Sequence, residues 1–109
     1  MNDQEFRSHV EPAMDSLKRS LMAAEDSADI EVEDQAGALH ISFEDGSRFV
    51  ISPNAPARQI WISALATSFK LDWSGQAGDW VLSKSNERLK DLVARLINQQ
   101  LGEEAVSLL

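Results

Sequence analysis

The chain contains no cysteine, and this absence removes several kinds of chemistry. Disulfides, thiolate catalysis and thiolate-ligated metal centres all require that side chain. Histidine is nearly as scarce, since His9 and His40 are the only two, and a histidine-rich zinc site is therefore excluded as well. No G-x-S-x-G or P-loop spacing occurs. We predict that the protein is not an enzyme and carries no organic cofactor.

Long apolar runs are also missing. No stretch approaches the roughly 18 uninterrupted apolar residues of a membrane-spanning helix, and the segment "MNDQEFRSHVEP" lacks the apolar run of a signal peptide. We therefore expect a soluble, unexported protein without a membrane partner. The lack of cysteine suits the reducing cytoplasm.

Positive charge is in short supply, because the formal net charge is −8. Such a surface repels phosphate backbones, so nucleic acid is not expected as a partner. The excess is uneven: residues 1–34 hold ten acids against three bases, and the other 75 residues are almost balanced. The acidic character therefore belongs to the N-terminal third of the chain.

Apolar residues at helical spacing predict a helix over roughly 3–23. Because Pro12 removes a backbone hydrogen bond, either this helix bends there, which we favour, or it begins near Glu11. A second helix is predicted around Leu89–Leu101, with Ser85 or Asn86 as its N-cap and Gly102 as its stop.

Between the helices the apolar period changes to two, which is typical of strands with one buried face. Six strands are predicted, near residues 29–33, 39–43, 49–52, 58–64, 69–73 and 79–83. Short turns between them favour an antiparallel sheet. The expected fold class is α+β, a two-layer sandwich in which both helices cover one sheet face, in a single domain of residues 1–109. The apolar residues that follow Gly102 are expected to dock on this domain.

Two surfaces stand out as candidate sites. The first is "EDSADIEVED" at 25–34, where Asp29, Glu31 and Glu33 repeat every second residue and therefore share one side of a strand. Clustered carboxylates attract hard cations and basic partners. The simpler interpretation is an edge strand that charge protects against aggregation.

The second candidate surface is the sheet face that the two helices leave bare. In "ARQIWIS" at 57–63, Trp61 alternates with two isoleucines and therefore lies on this open side. An exposed tryptophan is typical of an interface, but Trp61 can equally pack against a cross-strand neighbour such as Val50. Trp73 and Trp80 are predicted to point into the core.

Several motifs in this chain resemble the frataxin family in its bacterial form. They are "GALHISFEDGSRFVIS", then P-x-x-QIWIS, "DW" at 72–73, "DWV" at 79–81 and a closing helix. The resemblance implies a non-enzymatic accessory of iron–sulfur cluster assembly in the bacterial cytoplasm. It also implies weak binding of iron, and docking to a cysteine desulfurase and a scaffold protein, by a monomer that can oligomerise when loaded with iron.

The resemblance also assigns residues. The expected iron ligands are carboxylates of the first helix and the strands that follow it: Glu25, Asp26, Asp29, Glu31, Glu33 and Glu44. The expected partner contacts lie on the same acidic region and on the open sheet face: Asp15, Glu25, Asp29, Glu31, Glu33, Asn54, Gln59, Trp61 and Lys70.

The sequence departs from the family pattern at a few positions. Where bacterial relatives usually carry acids late in the first helix, this chain has Lys18, Arg19, Met22 and Ala23. Two bases inside the acidic region should weaken cation binding there.

Two other interpretations compete with an assembly accessory. A small acidic secretion-type chaperone would have a similar composition but would dimerise. A single-stranded nucleic-acid binder stacking a base on Trp61 is disfavoured, because only Arg48 and Lys70 would offset the acidic excess.

Overall fold

The computed structural model describes residues 1–109 and contains two helices and a seven-stranded sheet. In chain order the elements are α1 (Asp3–Ala24), β1 (Ile30–Gln35), β2 (Ala38–Phe43), β3 (Arg48–Asn54), β4 (Gln59–Ala64), β5 (Thr67–Ser74), β6 (Asp79–Leu82), β7 (Glu87–Arg88) and α2 (Leu89–Leu101). Every strand pairs antiparallel with the next, so the spatial order of the strands equals their chain order. The predicted α+β sandwich is confirmed, with one strand more than expected.

A single apolar core lies between the helices and one face of the sheet. Helix α1 contributes Phe6, Val10, Met14, Leu17 and Leu21, which recur at the helical period. The sheet contributes every second residue of its strands, because successive side chains point to opposite faces. The other face of the sheet therefore stays open to solvent.

Trp80 is the largest side chain in this core and is 0% exposed, as predicted. Its indole N–H donates to the backbone oxygen of His9 on α1 at 3.1 Å, and its ring meets Phe6 edge-on. Trp73 packs against the core but is only half-buried, and its ring stacks on the imidazole of His9 with ring centroids 3.9 Å apart.

Helix α1 is one continuous helix that begins at Asp3, so the option of a start near Glu11 is wrong. Its start is fixed by a reciprocal capping box, in which Asn2 accepts from the N–H of Glu5 and Glu5 accepts from the N–H of Asn2. Pro12 lies within the helix on its exposed side.

The predicted cap of α2 is wrong. The N-cap is Arg88, which makes no side-chain capping bond, because residues 87–88 pair with β6 as the short strand β7. Ser85 instead donates its hydroxyl to Glu87. At the other end, Gly102 closes α2 in the left-handed conformation at φ 76°, as expected.

The segment after α2 docks on the domain, as predicted, and contacts Ser20 of α1 and Asn98 of α2. Asn98 accepts from the backbone N–H groups of Ala105 and Val106 and donates to the oxygen of Val106. This arrangement places Leu108 in the core at 8% exposure, whereas the side chain of Leu109 is 95% exposed.

Candidate functional site

The acidic edge comprises Asp15, Glu25, Asp26, Asp29, Glu31, Glu33, Asp34 and Glu44, all of them exposed. It runs along the end of α1 and the outer strand of the sheet. In β1, Ile30 and Val32 point into the core, so Glu31 and Glu33 point outward. The charged side of this strand is a direct consequence of the period-2 pattern.

Nearly all of these carboxylates lack a cationic partner within the chain. The protein has three salt bridges, and only the pair formed by Lys18 and Asp34, at 3.1 Å, involves the acidic edge. The negative charge of the others is therefore available to a second molecule.

Four of the predicted iron ligands line one open groove of about 380 Å³: Glu25, Asp29, Glu31 and Glu44. Ser42 and the apolar residues Ala28, Ile30 and Phe43 complete its walls. Asp26 and Glu33 lie outside this groove, in the turn after α1 and further along β1. The structure thus brings four of the six predicted iron ligands into one groove.

Internal hydrogen bonds already occupy two of these carboxylates. Glu25 accepts from the backbone N–H of Val32 at 2.8 Å, and Glu33 accepts from the side-chain amide of Gln35 at 2.9 Å. The Glu25 contact caps a donor on the free edge of β1 and ties the end of α1 to that strand. It also protects the edge against pairing with another strand.

The acidic edge is not a preformed metal chelate. No three histidine, aspartate or glutamate side chains lie close enough together to hold one metal ion. The donors are carboxylate oxygens, which hard cations accept, but their spacing leaves most of a coordination shell to water. Any cation held here would therefore be bound by few protein ligands.

Lys18 lies beside Asp34, near the end of β1 and outside the groove of Glu25, Asp29, Glu31 and Glu44. Its ammonium donates to Asp34, and this hydrogen bond, with a second from the N–H of Gly37, lowers the pKa of Asp34 below its usual value. Asp15 lines the same cleft beside this pair. The expectation that a base would interrupt the negative charge of the first helix agrees with this geometry.

Trp61 is 36% exposed near the middle of the open sheet face. Its indole N–H donates to Gln59 at 2.9 Å, and the Gln59 amide donates to Asp72 at 3.0 Å. The ammonium of Lys70, directly across from Trp61 on β5, lies 4.9 Å from the ring centroid. Trp61 thus contacts Gln59 and Lys70 within the sheet, while on β3 the residue directly across from it is Ser52 and Val50 lies opposite Ser63.

This cluster of Gln59, Trp61, Lys70 and Asp72 is held in one arrangement before any partner binds. A fixed aromatic with a cation over its face is a low-entropy contact surface, because little side-chain freedom remains to be lost. Sequence reasoning missed Asp72, and its place opposite Gln59 in the β4–β5 register is the signal that identifies it.

Asn54, the last predicted contact residue, lies at the end of β3. Its side-chain oxygen accepts from the N–H of Ala57 at 2.9 Å, so it shapes the loop between β3 and β4. His40 lies on the open face opposite Glu33 on β1, and its Nδ1 atom has no hydrogen-bond partner.

Neither helix of the protein has the length and apolar character needed to cross a membrane.

Comparison with known proteins identifies relatives of this chain. The frataxin-like domain family matches residues 1–103. The iron–sulfur cluster assembly protein CyaY of Azotobacter vinelandii is 38% identical over 76 residues, which are 70% of this chain and 69% of that protein. The protein of the same name from Pseudomonas fluorescens strain Pf0-1 is 36% identical over the same shares.

Solved structures agree with these relatives. Frataxin from Psychromonas ingrahamii superimposes with a TM-score of 0.82 at 21% identity, covering 98% of this chain and 97% of that one. Yeast frataxin gives a TM-score of 0.70 at 19% identity over 91% and 82% of the two chains. At these identities the likeness establishes the fold. The family match along nearly the whole chain establishes more: this protein is a member of the frataxin-like family.

Proposed function

We propose that this protein is an accessory of iron–sulfur cluster assembly in the bacterial cytoplasm, and that it docks on a cysteine desulfurase through its acidic edge. Relatives at 36–38% identity carry the name of iron–sulfur cluster assembly protein. The family consists of non-enzymatic accessory proteins, and the chain is accordingly not an enzyme. With this family assigned, the secretion-chaperone alternative is not retained.

One observation carries the docking proposal: the carboxylates of the acidic edge are exposed and, apart from Asp34, have no ion-pair partner in the chain. A partner that presents arginines matches them, because a guanidinium pairs with a carboxylate in a bidentate geometry. Charge of this kind steers association and fixes orientation, and screening by salt weakens it.

Iron enters the proposal as cargo that the acidic edge binds weakly. The groove beside β1 offers Asp29, Glu31 and Glu44 without internal hydrogen bonds, while Glu25 is shared with the N–H of Val32. One or two carboxylates with water are a low-affinity, unselective site for a hard cation. Basic partner and cation would then compete for the same oxygens.

The open face is the second contact in this proposal. The ordered cluster of Gln59, Trp61, Lys70 and Asp72, together with Asn54, would meet the scaffold protein while the acidic edge meets the desulfurase. Glu31 lies on the edge strand and Trp61 lies three strands away on β4. Two partners can therefore bind at the same time, one on the acidic edge and one on the open face.

Calorimetric titration of the full chain with the desulfurase of the same organism tests the docking proposal. We expect binding at low salt that weakens steeply as salt rises, because exposed charges are screened within about 10 Å at 0.1 M. A parallel titration with ferrous iron should show weak binding that the desulfurase displaces. Absence of desulfurase binding at low salt would rule out the docking proposal, and affinity independent of salt would exclude the acidic edge as the contact.

A further inference from the structure

Met22 is an exposed apolar side chain in an otherwise charged region. It is 42% exposed, and the other exposed large apolar side chains are Met1, Trp61 and Leu109. A single exposed methionine is unremarkable on a general surface. Met22 differs from such a residue because its neighbours on α1 belong to or contact the acidic edge.

Helical spacing places Met22 beside the acidic edge. Residues three and four apart share one helix face, so Met22 lies between Lys18 and Glu25. Both neighbours reach across to β1: Lys18 contacts Asp34, and Glu25 accepts from the N–H of Val32. Asp26, one turn further on, is exposed on the same side. Met22 therefore lies inside the surface that carries the docking proposal.

A protein that docks here would cover Met22 together with the surrounding carboxylates. Methionine and arginine are both enriched in protein interfaces, and the flexible thioether adapts its shape to an opposing surface. The charge of the acidic edge indicates which side chains the partner presents. Arginines would face Asp26 and the β1 glutamates, and an apolar patch or the aliphatic part of an arginine would face Met22. Met22 thus supplies an exposed large apolar side chain beside the acidic edge, whereas Ile30 and Phe43 of the groove are buried.

The same exposure makes the thioether chemically reachable. Hydrogen peroxide converts a thioether to a sulfoxide and water: the sulfur–oxygen bond forms, the peroxide O–O bond breaks, sulfur loses two electrons, and a proton passes to the departing hydroxide. The product is a polar, chiral side chain in place of an apolar one. Met14, at 8% exposure in the core, is shielded from this reaction.

We infer that Met22 is an oxidation-sensitive apolar contact of the acidic edge, and that its conversion to the sulfoxide by hydrogen peroxide weakens docking of the desulfurase. This inference rests on the proposed docking function. It adds a response to oxidant that the charges alone do not provide, since carboxylates and arginines are unchanged by dilute peroxide.

The test compares desulfurase affinity before and after oxidation. The protein is treated with hydrogen peroxide, freed of peroxide by catalase and desalting, and titrated into untreated desulfurase at low salt, with peptide mass spectrometry to locate the sulfoxide. We expect the Kd to rise about tenfold, the effect of losing one well-packed interface side chain. Met22→Gln should bind as weakly as the oxidised protein without any treatment.

Two variants serve as controls. Met22→Leu keeps an apolar side chain that peroxide does not oxidise, so its Kd after treatment should equal its own Kd before treatment. Met1 remains oxidisable in that variant and lies about 30 Å away along α1, so it reports oxidation outside the acidic edge. Met14→Leu should retain the full peroxide response, since Met22 is intact.

The outcomes separate this inference from the docking proposal. If untreated wild type binds and its affinity survives complete oxidation of Met22, the inference is overturned and the docking proposal stands. If treated Met22→Leu loses as much affinity as treated wild type, another residue is responsible and the inference is again overturned. If untreated wild type does not bind at all, both are wrong.

Discussion

The turn between β4 and β5 consists of Leu65 and Ala66, both in the left-handed region at φ 54° and 58°. This is the conformation that a two-residue hairpin turn requires, but asparagine and glycine are the residues that adopt it readily. In this conformation an L side chain crowds the following carbonyl oxygen, at a cost of about 1–2 kcal/mol per residue. The backbone of this turn is therefore strained, because neither of its two residues is a glycine or an asparagine.

Ala66→Gly should stabilise the protein. Ala66 is exposed, so removal of its methyl group loses no core contact. Glycine releases about 1–2 kcal/mol of strain and costs about 0.5–1 kcal/mol of additional chain entropy in the unfolded state. The expected gain in the free energy of unfolding is about 0.5–1 kcal/mol, which corresponds to a rise in Tm of about 2–8 °C for a domain of this size.

Urea denaturation followed by tryptophan fluorescence and far-ultraviolet circular dichroism measures this gain. Ala23→Gly is the matched control, because Ala23 is an exposed alanine within α1, where glycine should instead cost about 1 kcal/mol. A loss of stability in Ala66→Gly, or equal changes in the two variants, would refute the reasoning. The substitution changes no residue of the paired strands, so Lys70 should stay opposite Trp61 in the variant.

Two further predictions concern the α2 side of the fold. Glu87→Gln removes the ion pair in which the Arg95 guanidinium lowers the pKa of Glu87; because this pair is partly exposed, we expect a loss of about 0.5–1 kcal/mol at pH 7. A carboxyl group with a lowered pKa stabilises the folded protein above pH 4.5, its ordinary pKa, and this stabilisation is lost as the pH falls through the lowered pKa. The free energies of unfolding of variant and wild type, measured by urea titration, should therefore converge in acid. Leu108→Ala should cost about 2–3 kcal/mol in a urea titration, since Leu108 fills the core, whereas Leu109→Ala should stay within about 0.5 kcal/mol of wild type.

Patterns within single segments predicted much of this fold. The alternation in β1, β2 and β4 predicted correctly which side chains point inward and which point outward. When one face of a sheet is buried, only one assignment of alternating residues to the two faces buries the apolar ones. The same argument predicted a buried Trp80 and an exposed Trp61. The acidic edge followed from the outward half of β1.

Features that depend on contacts distant in the sequence were not predictable in this way. The pair Lys18–Asp34 requires α1 to lie against β1, and the contact of Gln59 with Asp72 requires the β4–β5 register. Strand β7 exists only because Arg88 pairs with Val81, and this pairing moved the cap of α2. None of these residues carries a local signal for its partner.

Turn chemistry explains another difference. The turns at Gly37 and Gly46 contain glycine at positive φ, the residue type that hairpin turns favour. Leu65 and Ala66 adopt the same conformation without such a residue. The strand pairing on either side determines this turn, and the turn residues themselves do not.

The central claim is that the acidic edge, and not the open face, is the principal contact with the desulfurase. Double charge reversal of Glu31 and Glu33 to arginine replaces two attractive contacts by repulsive ones without disturbing the core, because both side chains are exposed on β1. Reversal of Glu103 and Glu104, which are exposed after α2, changes the net charge equally and is the matched control. Trp61→Ala removes the aromatic of the open face.

Calorimetric measurement of the Kd of these three variants for the desulfurase at low salt tests the claim most directly. Each exposed ion pair contributes about 0.2–1 kcal/mol, and reversal roughly doubles the loss, so the Glu31 and Glu33 double variant should lose about 0.8–4 kcal/mol of binding free energy and bind at least about fourfold more weakly. Trp61→Ala and the Glu103 and Glu104 control should each change the Kd by less. A larger loss in Trp61→Ala would move the principal contact to the open face, and an equal loss in the control would show that net charge alone governs binding.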